Sequence, residues 1–198
     1  MSAIDQVCLL HPVDRTRVAV AGLSAGASMA ALVVSMHPER FQAVVMHSGI
    51  APGTAHSTMT ALGAMNGRRS TQPLQASAAT MAAHWPPLLV IHGSKDGVVS
   101  PHNGQAAAQV WAQAADAQPS APRSVQRGLR YPMQVTDFKR QRRTVATLVE
   151  VQGLAHAWSG GAASKPFTDV QGPDASRMAW AFAARQFRAR AGLPASDG

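Results

Sequence analysis

The stretch that decides the reading is Arg17–Ala30, RVAVAGLSAGASMA. An apolar run from Val18 to Ala21 leads directly into Gly22-Leu23-Ser24-Ala25-Gly26, and small and apolar residues then continue to His37. The first run has the length and composition of a buried strand, and the second, closed by Pro38, predicts a helix. Ser24 therefore stands at a strand-to-helix turn in the pattern G-x-S-x-G. There the serine occupies a strained backbone position, and glycines at the flanking positions leave room for neighbouring backbone. A helix opening at the serine directs free N–H groups and its positive end toward the hydroxyl, so the Ala25 N–H is expected to donate to an oxyanion.

A serine hydroxyl needs a base to take its proton and a carboxylate to orient that base. For a serine in this setting the chain order is serine, acid, histidine. Asp96, in IHGSKDGVVS, follows a predicted strand at the end where parallel sheets gather functional groups. Its competing reading is a turn cap in Lys95-Asp96-Gly97. Asp116, on a loop after a helix, and Asp137, inside a strand-like run, are weaker acids. Of the eight histidines, His156 in VQGLAHAWSGG lies after the last strand and follows Asp96, as the order requires. His92 and His47 end strands but precede the acid, and their expected role is packing or a bond to backbone. His11, His37, His56, His84 and His102 sit at turns or helix ends. No histidine pair has the glutamate spacing of a zinc protease, so no metal is expected.

Further strands are predicted within Phe41–Gly49, Pro86–Ser100, Met133–Phe138 and Arg143–Gly153, with helices ending near Cys8, over His102–Ala115 and from about Asp174 to Arg188. In the last helix Met178, Phe182 and Phe187 are expected to face the sheet. Alternating strands and helices imply an α/β fold with a mostly parallel sheet covered on both faces. The Gly-, Ala-, Ser- and Thr-rich segment 51–85 is expected to cross the sheet edge as loop and short helix, and Asp116–Gly128 to form a surface loop. No internal repeat or domain boundary appears, so residues 1–198 read as one domain with an ordered core over about 4–190.

Composition narrows the classes. The chain has 198 residues, 46% hydrophobic and 14% charged, with a mean hydropathy of −0.06. That is neither the disordered nor the membrane-spanning class. The N-terminal residues lack the basic start, long apolar stretch and cleavage site of an export signal. Cys8, the only cysteine, excludes an intrachain disulfide, and a small buried side chain is its expected role. Most of the formal charge of +8 comes from FKRQRR (Phe138–Arg143) and RQFRAR (Arg185–Arg190). Neither cluster is accompanied by a groove-reading motif or an aromatic platform, so both read as solvated surfaces and no nucleic-acid partner is expected.

RVAVAGLSAGASMAALV, HGSKDGVVSPHNG, GLAHAWSGG and GPDASRMAWAF together resemble the poly(3-hydroxybutyrate) depolymerase family of esterases, whose relatives include feruloyl and acetylxylan esterases. The likeness extends from about residue 4 to 188, and the histidine loop and the GPDAS segment are its discriminating parts. It implies an α/β-hydrolase fold and a secreted or periplasmic serine esterase without cofactor. In such an enzyme Ser24 attacks an ester carbonyl, His156 acts as base and then acid, Asp96 orients it, and Trp158 lines the acyl or alcohol pocket or else packs on its loop. In similar proteins, strands and a glycine-containing loop carrying a second oxyanion donor precede the nucleophile strand. Their absence here sets the expectation of an N-terminally truncated fold, with an unpaired edge at Val18 prone to self-association. It also raises the alternative of a catalytically impaired remnant that acts at most as a binding module.

Overall fold

The three-dimensional structure, a computed structural model, describes residues 2–52, 54, 63–66 and 85–190. Helix α1 (Ser2–Leu10) precedes strand β1 (Ala19–Leu23), helix α2 (Ala25–Met36) and strand β2 (Ala43–His47). Strand β3 (Leu88–Gly93) and helix α3 (His102–Ala114) follow, then β4 (Gln118–Pro119), β5 (Arg123–Val125), β6 (Met133–Arg140), β7 (Arg143–Val151), β8 (Trp158–Ser159), β9 (Thr168–Asp169) and α4 (Ala175–Arg190). The main sheet has the order β1-β2-β3-β7-β6-β4, with β5 also paired to β6. Strands β1, β2, β3 and β7 are mutually parallel, and β6 turns the far half antiparallel.

Alternation along the central strands separates two cores, because successive side chains leave a strand on opposite faces. Val44, Met46, Leu88, Val90, Ala146 and Leu148 pack beneath α2 and α3, whereas Ala43, Val45, Leu89, Ile91, Val149 and Val151 pack beneath α4. Strands β2 and β3 are buried at every residue, as near-continuous apolar strands between two helical layers must be. On α4, Phe182 is buried while Met178 and Phe187 are half-buried against the same core, matching the predicted face. Its start is fixed by the Asp174 carboxylate, which accepts the Arg177 N–H at 2.9 Å.

The described strands correspond to the predicted ones within a few residues, with three differences. Asp116–Gly128 is not simply a loop, since β4 and β5 pair with the outer edge of β6. Neither strand has apolar alternation, so the pairing is recruited by the unsatisfied backbone groups of β6 and leaves no periodic signal. The small β8-β9 pair within Trp158–Asp169 is likewise held by backbone bonds. Cys8 is half-buried, because α1 covers only the margin of the sheet. The predicted crossover helix within 51–85 lies mostly outside the described residues.

Among the described residues β1 pairs with β2 alone. Its other edge leaves Ala19 and Ala21 exposed, and an apolar groove of about 640 Å³ runs beside it between Val45 and the Trp180, Ala183 and Phe187 face of α4. The arginine clusters fall on the β6-β7 hairpin turn and on the last turns of α4. No helix among the described residues is long and apolar enough to cross a membrane.

Trp111 anchors α3 to the sheet. Its ring is buried against Trp85, with centroids 4.4 Å apart, and its indole N–H donates to the Pro86 carbonyl at 3.0 Å. Trp111→Ala is expected to cost about 3–5 kcal/mol by leaving a cavity. Trp180→Ala, at a residue 70% exposed, should stay within about 0.5 kcal/mol of the parent. Urea denaturation of the two variants measures the difference.

Candidate active site

The four parallel strands each deliver one functional group at the C-terminal edge of the sheet. Ser24 follows β1, His47 ends β2, Asp96 lies three residues beyond β3 and His156 five beyond β7. This is where open α/β sheets place their ligands.

Ser24 adopts φ 56° and ψ −123°, a backbone conformation that side chains other than glycine rarely accept. Neighbouring bonds hold it there. Its N–H donates to the His47 carbonyl at 2.8 Å, and its own carbonyl accepts the N–H groups of Ala27 and Ser28 at 3.0 and 3.1 Å. The two flanking glycines differ in role. A Cβ on Gly22 would lie 2.3 Å from the Gly26 carbonyl carbon and oxygen and 2.6 Å from the Ala27 nitrogen, whereas one on Gly26 meets nothing within 4 Å. The expectation that both glycines are needed for space is therefore corrected: the close approach is of Gly22 to the backbone at Gly26. Ala25, exposed at the first helical position, carries an N–H with no acceptor inside α2.

The structure brings Ser24, His156 and Asp96 together. His156 Nε2 lies 3.0 Å from Ser24 Oγ, and His156 Nδ1 lies 2.8 Å from Asp96 Oδ2. With the proton on Nδ1 donated to the carboxylate, Nε2 is left as the acceptor for the serine hydroxyl. The two readings of Asp96 turn out to be compatible, because each oxygen does one job. Oδ1 caps the turn by accepting the Val98 and Val99 N–H groups at 3.0 and 2.8 Å, while Oδ2 faces His156. Burial raises the carboxyl pKa, but hydrogen bonds from His92, His156 and the Val99 and Val98 amides outweigh it, so Asp96 is held well below the usual carboxylate range.

His92 makes the expected backbone bond. Its Nε2–H donates to the Val99 carbonyl at 2.9 Å and lies 3.4 Å from Asp96 Oδ2. Asp137 is engaged elsewhere, by Arg123 and Thr147 on the sheet, and Asp116 is exposed after α3. His11 and His102 are exposed and His37 is half-buried, while His56 and His84 lie outside the described residues. Trp158 stacks on His47, with ring centroids 5.1 Å apart, and its indole N–H donates to Ser176. It does not belong to the apolar pocket of about 330 Å³ beside Ser24, which Met29, Leu32, Ile50, Pro52, Met65 and Val99 help to line.

Two supporting positions escaped the sequence reading. A Cβ on Gly93 would fall 2.2 Å from the Leu154 carbonyl oxygen, so only glycine lets the acid strand approach the histidine loop this closely. Asn103, buried at the start of α3, donates to the carbonyls of Ala64 and Ser100 and ties the 63–66 segment to the acid loop. Both contacts join residues distant in the chain, so no local pattern announces them. No cluster of metal-ligating side chains occurs among the described residues.

A protein-family profile described as Esterase PHB depolymerase matches residues 1–117. Among solved structures the chain is similar to an acetyl xylan esterase from Aspergillus awamori, at 21% identity and a TM-score of 0.61, covering 77% of this chain and 59% of the other. It is also similar to a PHB depolymerase complexed with an R3HB trimer, at 16% identity and a TM-score of 0.60, covering 86% and 52%. A PHB depolymerase from Penicillium funiculosum gives 16% identity and a TM-score of 0.59, covering 85% and 51%. The chain thus spans between half and three fifths of the length of these proteins. At such identities the likeness is one of α/β-hydrolase fold. No curated protein matches the sequence.

Gly22→Ala is expected to destabilise the protein by about 1–3 kcal/mol through overpacking. Gly26→Ala should be neutral or stabilising by up to about 1 kcal/mol, as alanine for glycine is within a helix; thermal melting of the pair checks both. Asp96 follows the depressed-carboxyl case, so its contribution is present above the unfolded pKa near 3.8 and is lost as the pH falls toward the lower folded value. The stability gap between the parent and Asp96→Asn, followed by urea denaturation, should therefore narrow below about pH 4.

Proposed function

This chain belongs to the PHB depolymerase family of esterases, and from that premise we propose that it hydrolyses carboxylic esters through an acyl-enzyme on Ser24. The observation that carries the reading is the continuous relay from Ser24 Oγ through His156 to Asp96, at 3.0 and 2.8 Å, starting from a strained serine at a helix N-terminus. His156 Nε2 takes the hydroxyl proton as Ser24 Oγ attacks the ester carbonyl. Asp96 stabilises the imidazolium that forms, and the Ala25 N–H, aided by the positive end of α2, faces the developing oxyanion. Collapse of the tetrahedral intermediate returns the proton from His156 to the leaving alkoxide. Water, deprotonated by the same imidazole, then releases the acid and restores Ser24.

The substrates we propose are short hydroxyacid polyesters or oligomers of the 3-hydroxybutyrate type, with acetyl or feruloyl carbohydrate esters as the second class. The apolar lining beside Ser24 supports the first, since a small aliphatic acyl group needs apolar contact more than polar recognition. Family membership also supports an extracellular or periplasmic place of work. A catalytically impaired hydrolase is the second reading, favoured by the free edge of β1 among the described residues. A nucleophile strand supported on one side holds its serine less firmly than a central one.

Hydrolysis of p-nitrophenyl acetate and butyrate separates the readings. Turnover by the parent that falls at least about a thousandfold in Ser24→Ala establishes the acyl-enzyme route. Equal rates in parent and variant would reject it.

A further inference from the structure

His47 is buried at the end of β2, and the mechanism above does not use it. Its contacts reach the backbone of Ser24 on one side and the loop that carries His156 on the other. Its carbonyl accepts the Ser24 N–H at 2.8 Å, which sets the height of the nucleophile turn above the sheet. Its ring reaches the other way, where Nε2 accepts the buried Ser159 N–H at 3.0 Å and the ring face stacks on Trp158 at an interplanar angle of 27°.

A backbone N–H can only donate, so Nε2 must be unprotonated and the ring proton must sit on Nδ1, 3.2 Å from Ser48 Oγ. Burial first, and the nearby His92 second, lower the His47 pKa to about 3. The ring is therefore neutral throughout the neutral range and keeps the tautomer that the Ser159 bond requires.

The loop carrying His156 is held on its N-terminal side by the acid loop. The Lys95 N–H donates to the Leu154 carbonyl at 3.0 Å, and the Gly153 N–H donates to Ser94 Oγ at 2.9 Å. On its C-terminal side, three residues past His156, the loop is tied to the end of β2 by the Ser159 bond to His47. Ser159 Oγ and Trp158 Nε1 bind Pro173 and Ser176, at the start of α4 rather than on the sheet. Resting this step on the ester-hydrolase reading, we infer that His47 is a positioning residue, which through its Nε2 acceptor and its carbonyl holds His156 and Ser24 in mutual register. A displacement of about 1 Å between such groups is enough to cost about a hundredfold in rate.

The test compares the parent, His47→Phe and His47→Gln, all read at a temperature where each is folded. Phenylalanine keeps the stacking ring but strands the Ser159 N–H, whereas the glutamine carbonyl oxygen can take the place of Nε2. On p-nitrophenyl butyrate, His47→Phe is expected to lower kcat about 10- to 100-fold with KM within about twofold. His47→Gln should recover kcat to within about threefold of the parent, which would show that the acceptor and not ring packing is what matters. A second readout does not require turnover. The His156 Nδ1 proton on Asp96 should give a resolved downfield resonance in the parent and in His47→Gln, broadened or lost in His47→Phe.

A folded His47→Phe with parental kcat and an intact resonance overturns the proposal, as does a glutamine variant no better than phenylalanine or a loss confined to KM. Equal turnover by the parent and Ser24→Ala would instead reject the hydrolase reading. In that event the resonance alone decides whether His47 sets the register.

Discussion

A carboxylate in the interior keeps its charge only if enough donors replace the water it has lost. At Asp96 the donors are the amides of Val98 and Val99 and the imidazoles of His156 and His92. The amides dictate the turn after β3, and the imidazoles dictate where the loop after β7 and the His92 ring must stand. Much of the site geometry is thus the solution to one solvation problem. An anion satisfied in this way fixes the His156 tautomer and leaves its outer nitrogen facing the serine.

Ser24 presents a complementary constraint. Its left-handed backbone is unfavourable by itself, by about 1–3 kcal/mol, and persists because three backbone bonds and the packing of Gly22 on Gly26 leave no alternative. Strain is thereby placed at the residue between β1 and α2 whose hydroxyl faces His156. The strands on which it relies are unequal, since β2 and β3 are buried throughout while β1 lies at an edge among the described residues. The His47 contacts join the edge strand to the inner one at the point where this inequality matters most.

Strong local patterns were legible. The apolar run at Val18, the helix closed by Pro38, the Leu88–Ile91 strand and the apolar face of α4 each carry their period or punctuation within a short window, and the structure places them accordingly. That Ser24, Asp96 and His156 would meet was also legible, because each stands just beyond a parallel strand and loops there converge on one edge of the sheet. The short strands β4 and β5 were not, since their pairing answers to the open edge of β6 and not to their own side chains. The separate roles of Gly22 and Gly26 were hidden as well, because two identical residues differ only in what lies opposite the missing Cβ.

By itself, then, the sequence determined the alternation of strands and helices, the apolar faces that sandwich the sheet, and the residue types able to form a nucleophile, a base and an acid. These follow from periodicity, capping and the chemistry of single side chains, all of which act over a few neighbouring residues. Tertiary structure alone decided that Asp96 divides its two oxygens between a turn and a histidine, that Gly93 must yield to Leu154, and that His47 reaches Ser159. Each of those facts is a distance between residues far apart in the chain, and such distances arise only when burial brings the strand ends together.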